Sequence, residues 1–195
     1  IGFGTGSMLE VITGLDQVEH ITVVELNETL MVNLKKMTVF QSILDDPRIT
    51  LVIDDGRRFL TRTDRRFDLV LIDPLRSTTA YSTNLYSRQF FELVRKRLQP
   101  GGIFLMWQDE HRVLPRTLAT VFEEVRIYNY FSLASALPFQ TSSWLETQLL
   151  GHFSHADQEA ISSVPVRFLG DRGFAMEMTG GYPINEDARP VSEYY

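Results

Sequence analysis

The feature that most constrains this chain is an alternation. Four short apolar stretches, ITVVEL (21–26), ITLVIDD (49–55), FDLVLID (67–73) and GIFLMW (102–107), are separated by segments with helical spacing. The stretches are β-branched and almost continuously apolar, as strands covered on both faces of a parallel sheet are. Residues 28–39 and 87–98 carry the helical periodicity. In the second, Phe90, Phe91, Val94 and Leu98 line one face while Arg88, Glu92, Arg95 and Lys96 take the other. Pro100-Gly101-Gly102 then stops that helix. Strand and helix in turn specify an α/β fold with a doubly wound, mostly parallel sheet. After Pro115 the pattern changes. Residues 125–135 and 144–153 are expected to form two long strands joined around Pro138, an antiparallel pair at one sheet edge. From about Gly180 the chain is rich in Gly, Pro, Asn and Asp and is expected to be a loop, ending on Tyr194 and Tyr195.

The 195 residues fit one domain, 1–195, with a sizeable core. A hydrophobic fraction of 44% and a charged fraction of 23% are those of a soluble globular protein. No apolar run reaches the roughly eighteen residues of a membrane span. The net charge of −6, without a block of like charges, argues against a nucleic-acid partner and permits a cationic small ligand. With no cysteine, the chain has no disulfide, thiolate zinc site or cysteine nucleophile, and a cytoplasmic, reducing setting is expected.

Ligands of such sheets sit beyond the carboxyl ends of the strands. Those ends are acidic here: Glu25 closes the first stretch, Asp54-Asp55-Gly56 the second and Asp73-Pro74 the third. The chain opens on IGFGTGSMLE, whose Gly2, Gly4 and Gly6 flank Phe3 and Thr5. Glycines there remove Cβ atoms from the path of a nucleoside. Glu25, about twenty residues on, suits the two ribose hydroxyls, and Asp55 suits an exocyclic adenine amine. The plainer reading is a tight turn and solvated strand ends. Without a following G-K-[ST], a triphosphate site is not expected.

Three blocks, DPRITLVIDDGRRFL, FDLVLIDP and NLYSRQFFELVRKRLQPGGIFLMW, resemble the spermidine/spermine synthase family. The tail INEDARPVSEYY is similar to the ending of members fused to membrane segments. The resemblance implies a Rossmann-like, methyltransferase-type fold. It also implies aminopropyl transfer from decarboxylated S-adenosylmethionine to a polyamine, with no metal required. By likeness, Gly2, Gly4, Glu25, Asp55 and Gly56 match donor-binding positions, with Thr5 and Gly6 in the same loop. Asp73 matches the acid that orients or deprotonates the amine. Family members carry a strand and a small β-rich oligomerisation domain ahead of the glycine loop. The chain is therefore expected to be part of a longer polypeptide, a homo-oligomer, and possibly the cytoplasmic domain of a membrane-attached protein.

Two positions depart from the family pattern. Thr5 stands where the loop usually has an acid, and Arg76 stands where a second acid helps to hold the polyamine. Like charges a few ångströms apart cost about 1–4 kcal/mol at effective dielectrics of 80 to 20. Both changes suit a methyltransferase using intact S-adenosylmethionine, and the lost acids equally suit a non-catalytic synthase-like binding domain. Tyr81 and Tyr86 flank the Asp73 loop and are candidates to wall an acceptor pocket. Trp107 is expected in the core, and Arg57, Arg58, Arg65 and Arg66 on a solvated face. His152 and His155 lack the further ligands of a metal site.

Overall fold

The computed structural model describes residues 1–4, 6–73, 76–110, 112–139 and 166–193. The described residues divide into two compact units, one formed by Ile1–Gly56 and the other by Arg57–Phe139 with the residues from Val166 onward.

The first unit holds α1 (Ser7–Thr13), β1 (Ile21–Glu25), α2 (Glu28–Leu34), α3 (Thr38–Leu44) and β2 (Ile49–Ile53). The two strands pair in parallel, from Ile21 opposite Ile49 to Glu25 opposite Ile53, so their carboxyl ends are level. Phe3, Leu9, Ile21, Val23 and Met31 form its core, and the Phe40 ring meets Phe3 edge-on at 5.8 Å. The Arg48 guanidinium closes the connection into β1. It donates to the carbonyls of Thr13, Leu15 and Val18 at 2.5–3.1 Å and pairs with Asp46. The helix expected over 28–39 is two helices. Asn27 caps the first through a 2.9 Å bond from the Leu30 amide. The break comes at Met37, whose extended backbone begins the second, and Gln41 reaches back to the Lys35 carbonyl.

The second unit holds α4, which begins at the unit boundary (Gly56–Arg62), then β3 (Phe67–Ile72), α5 (Thr83–Tyr86) and α6 (Arg88–Arg97). After these come β4 (Leu98–Trp107), α7 (Val113–Val121), β5 (Glu124–Tyr128), β6 (Phe131–Ser135), β7 (Phe168–Asp171) and α8 (Arg172–Met178). Its sheet order is β3-β4-β6-β5-β7. β3 and β4 are parallel, and the remaining strands join antiparallel. Ser87 caps α6 through a bond to the Phe90 amide, and Phe90, Phe91 and Val94 are wholly buried as the periodicity requires. The Phe91, Phe104 and Phe122 rings continue that core at 5.6 and 6.0 Å. Gly101 has φ 77°, and a Cβ on Gly102 would meet the Phe67 carbonyl at 3.0 Å. The PGG run, expected to stop the helix, thus lies inside β4 at its register shift against β3, with glycine where only glycine fits.

The expected long strand over 125–135 is a hairpin. The chain reverses at Asn129-Tyr130, and Tyr128 stacks on Phe131 with centroids 4.7 Å apart. The phase of burial slips by one residue across the reversal, from Val125 and Ile127 to Ser132 and Ala134, as the two-residue turn requires. The proposed partner over 144–153 lies outside the described residues. Among the described residues, no helix is long and apolar enough to cross a membrane.

Candidate active site

In the first unit, the glycine loop lies against the carboxyl end of β1. Gly2, Gly4 and Gly6 have φ of 82°, 56° and 81°, values that side chains with a Cβ rarely adopt. Gly2 donates to the Val24 carbonyl at 2.9 Å, and Gly6 donates to Phe3 at 3.0 Å. A Cβ on Gly6 would press on the Phe3 and Phe40 rings at 3.0–3.2 Å. Thr5 lies outside the described residues.

Glu25 is buried, and its carboxylate organises this end. One oxygen accepts the Phe3 amide at 2.8 Å and the other accepts the Asn27 amide at 2.8 Å. Each oxygen has a second acceptor site, so both remain competent toward a diol. The β2 end follows directly, with Asp54 donating its amide to the Glu25 carbonyl at 3.1 Å and the Asp55 amide turning onto the Asp54 carboxylate at 2.7 Å. Gly56 closes the turn against Ile1, whose Cγ2 would lie 2.2 Å from an added Cβ. Gly2, Gly4, Gly6, Glu25, Asp55 and Gly56 are therefore gathered at one pair of strand ends. The arrangement is a backbone cradle with carboxylates beside it, suited chemically to a ribose and an amine-bearing base.

In the second unit, Asp73 follows the last residue of β3, and the Ile72–Met106 pairing sets it level with Trp107. Asp73 is half-buried, and that burial pushes its carboxyl above the ordinary range. Pro74 and Leu75 are not described, and Arg76 is exposed. Ser77 is wholly buried and donates both its amide and its hydroxyl to Asp109 Oδ1, at 3.2 and 2.6 Å.

The two tyrosines part company. Tyr81 is 89% exposed, and its φ of 69° is the one positive value outside glycine among the described residues. Tyr86 is fully buried, with its hydroxyl 3.5 Å from the Trp107 carbonyl. Burial chiefly, and then the charges of Asp109 and Asp73, push its ionisation far up, so it stays a neutral phenol. Asp73 and Tyr86 belong to one neighbourhood, whereas Arg76 and Tyr81 stand at its surface. Trp107 is half-buried.

Sequence reasoning overlooked Asp109 and Ser77, and it placed Arg57 on a solvated face. Arg57 instead forms a two-point pair with Asp187 at 2.8 and 2.5 Å. His152 and His155 lie outside the described residues.

The family model for the spermine/spermidine synthase domain matches residues 1–148. Polyamine aminopropyltransferase 2 of Pseudomonas aeruginosa is 34% identical over 156 residues, covering 74% of this chain and 43% of that protein. The polyamine aminopropyltransferase of Aeropyrum pernix is 29% identical over 188 residues, covering 89% of this chain and 54% of that protein. The chain thus spans about half the length of these curated relatives. Among solved structures, spermidine synthase from Thermotoga maritima superposes with a TM-score of 0.59 at 17% identity, over 100% of this chain and 62% of that one. Human methyltransferase-like protein 13, in complex with SAH, gives 0.55 at 17% identity, over 95% of this chain and 82% of that one. Those two likenesses establish the methyltransferase-type α/β fold. With the domain match over three quarters of its length, the chain belongs to the spermine/spermidine synthase family.

Proposed function

We propose that residues 1–195 form one catalytic domain that transfers an aminopropyl group from decarboxylated S-adenosylmethionine to an amine acceptor of the polyamine class. The observation that carries the reading is Asp73, a half-buried carboxylate at the carboxyl end of β3 with its proton affinity raised by burial. A carboxylate so placed, with its basicity raised, is suited to orient an acceptor amine and take its proton. On this reading Gly2, Gly4, Thr5, Gly6, Glu25, Asp55 and Gly56 hold the donor, with Glu25 on the ribose and Asp55 on the adenine amine.

The reaction balances without a further reagent. Asp73, directly or through water, accepts a proton from the acceptor ammonium. The freed nitrogen lone pair forms a bond to the aminopropyl carbon next to sulfur. The carbon–sulfur bond breaks, its electron pair stays on sulfur, and neutral methylthioadenosine leaves. Because the sulfonium is already a good leaving group, positioning the amine carries much of the remaining rate.

A second reading, methyl transfer from intact S-adenosylmethionine, rests on Thr5 and the exposed Arg76, which replace carboxylates expected to face a cation. Titrating the full-length protein with methylthioadenosine tests the donor site common to both. Glu25→Gln should weaken binding by about tenfold or more, the worth of a charge-assisted hydrogen bond. Equal affinity in wild type and variant would remove Glu25 from the donor site.

A further inference from the structure

The loop from Asp73 to α6 carries Arg76, Ser77, Tyr81 and the four-residue helix α5. A helix that short has no stability of its own, so its place is set by what holds it. Its exit is held from the tail. Asn185 is fully buried with every polar group engaged. Its amide donates to Thr117 Oγ1 at 2.9 Å, its carbonyl accepts from the Arg88 amide at 2.8 Å, Nδ2 donates to the Tyr86 carbonyl at 2.9 Å, and Oδ1 accepts from the Ser192 amide at 3.1 Å.

Two residues on, Asp187 gathers three more points. Its Oδ1 accepts from Arg57 Nη1 at 2.8 Å and from the Ser87 hydroxyl at 2.5 Å, while Oδ2 accepts from Arg57 Nη2 at 2.5 Å. Its own amide donates to Gln89 at 3.1 Å. Arg57 Nη1 also reaches the Asn84 carbonyl at 3.4 Å, inside α5. The first turn of α4 and the cap of α6 therefore meet at one tail carboxylate, and Arg57 carries the connection on to the body of α5.

We propose that Asp187, acting through Arg57 and Ser87, is a positioning residue for the acceptor: it fixes α5 and, with it, the buried Tyr86 that neighbours Asp73. The inference rests on the aminopropyl-transfer reading and deepens it. The Arg57 and Asp187 side chains are 25% and 39% exposed, and a pair so open to water adds little to global stability. What it supplies is the location of a helix that cannot locate itself.

Asp187→Asn and Arg57→Lys in the full-length protein test this with two readouts. Amide exchange across 77–86 should quicken about tenfold or more, while β3 and β4 amides keep their wild-type protection. The acceptor KM should rise about ten- to a hundredfold, the scale of a small misplacement, with affinity for methylthioadenosine unchanged. The charge-exchanged pair, Arg57→Asp with Asp187→Arg, should recover part of both losses. Unchanged exchange across 77–86 overturns the proposal, and so does a loosened loop with an unaltered acceptor KM. Loss of donor affinity, acceptor affinity and strand protection together would mean a general structural role and also overturns it. A wild type that transfers no aminopropyl group fails the functional reading separately; the acceptor role then falls with it, and amide exchange alone judges the hold on α5.

Discussion

Ser77 spends both its backbone N–H and its hydroxyl on a single oxygen of Asp109, at 3.2 and 2.6 Å. That pair of hydrogen bonds ties the loop leaving β3 to the loop leaving β4, on the side where Asp73 emerges. Because Ser77 is wholly buried, removing its partner leaves two donors without an acceptor. Asp109→Ala should destabilise the protein by about 2–4 kcal/mol, the worth of bonds to a charged group plus stranded donors. Urea unfolding with an unchanged slope is the check; a loss under about 0.5 kcal/mol, the range of ordinary surface changes, would contradict it.

Asn185 gives a sharper contrast between two substitutions. Asn185→Ala strands the Tyr86 carbonyl and the Ser192 amide, at about 1–3 kcal/mol each. Asn185→Asp keeps the shape but turns an acceptor toward the Tyr86 carbonyl and buries a charge, so it should cost at least as much. Thermal unfolding of both variants decides the order. An Asn185→Asp variant as stable as wild type would mean that the side chain does not face that carbonyl.

Asp73 links stability to pH in a defined direction. Burial raises its carboxyl in the folded state, whereas in the unfolded chain it ionises near the ordinary value of about 3.9. Between those two values the folded state binds more protons, so stability falls as pH rises and stays lower above the window. Asp73→Asn should therefore gain stability over wild type on passing from acid to neutral pH. In the wild type, the acid limb of acceptor turnover should lie above the ordinary carboxylate range, since the base must be ionised to act. Parallel pH profiles of unfolding and of turnover check both halves.

Arg76 tests the departure from the family pattern. Its exposure places the like-charge penalty near the aqueous limit of about 1 kcal/mol at 4 Å. Arg76→Asp exchanges that repulsion for attraction, so the KM for a short diamine should fall several-fold, more at low salt than at high. A KM indifferent to both the substitution and salt would show that the guanidinium points away from the acceptor.

Much of this arrangement is legible in the sequence, for physical reasons. The strands over 21–26, 49–55, 67–73 and 102–107 announce themselves through unbroken β-branched runs, although the burial on both faces that such runs suggest fails for Ile49–Ile53, none of which is buried, and for Leu69, which is 41% exposed. Glycines 2, 4 and 6 announce the loop because positive φ excludes most other residues. The hairpin over 125–135 is hidden because its turn at Asn129-Tyr130 carries neither of the strongest turn markers, glycine or proline. The tail is hidden for a different reason: Asn185 and Asp187 act through partners some hundred residues away, and no local pattern marks a long-range hydrogen bond. Arg57, a member of an apparent surface cluster, finds its partner 130 residues later.

The most direct test of the central claim is amine-dependent turnover of decarboxylated S-adenosylmethionine by the full-length protein, with methylthioadenosine and the aminopropylated amine both quantified. We expect the two products in equal amounts, with a rate that falls about a hundred- to ten-thousandfold in Asp73→Asn, the usual contribution of a positioned general base. Transfer of a methyl group from intact S-adenosylmethionine, with no methylthioadenosine released from the decarboxylated donor, would contradict it.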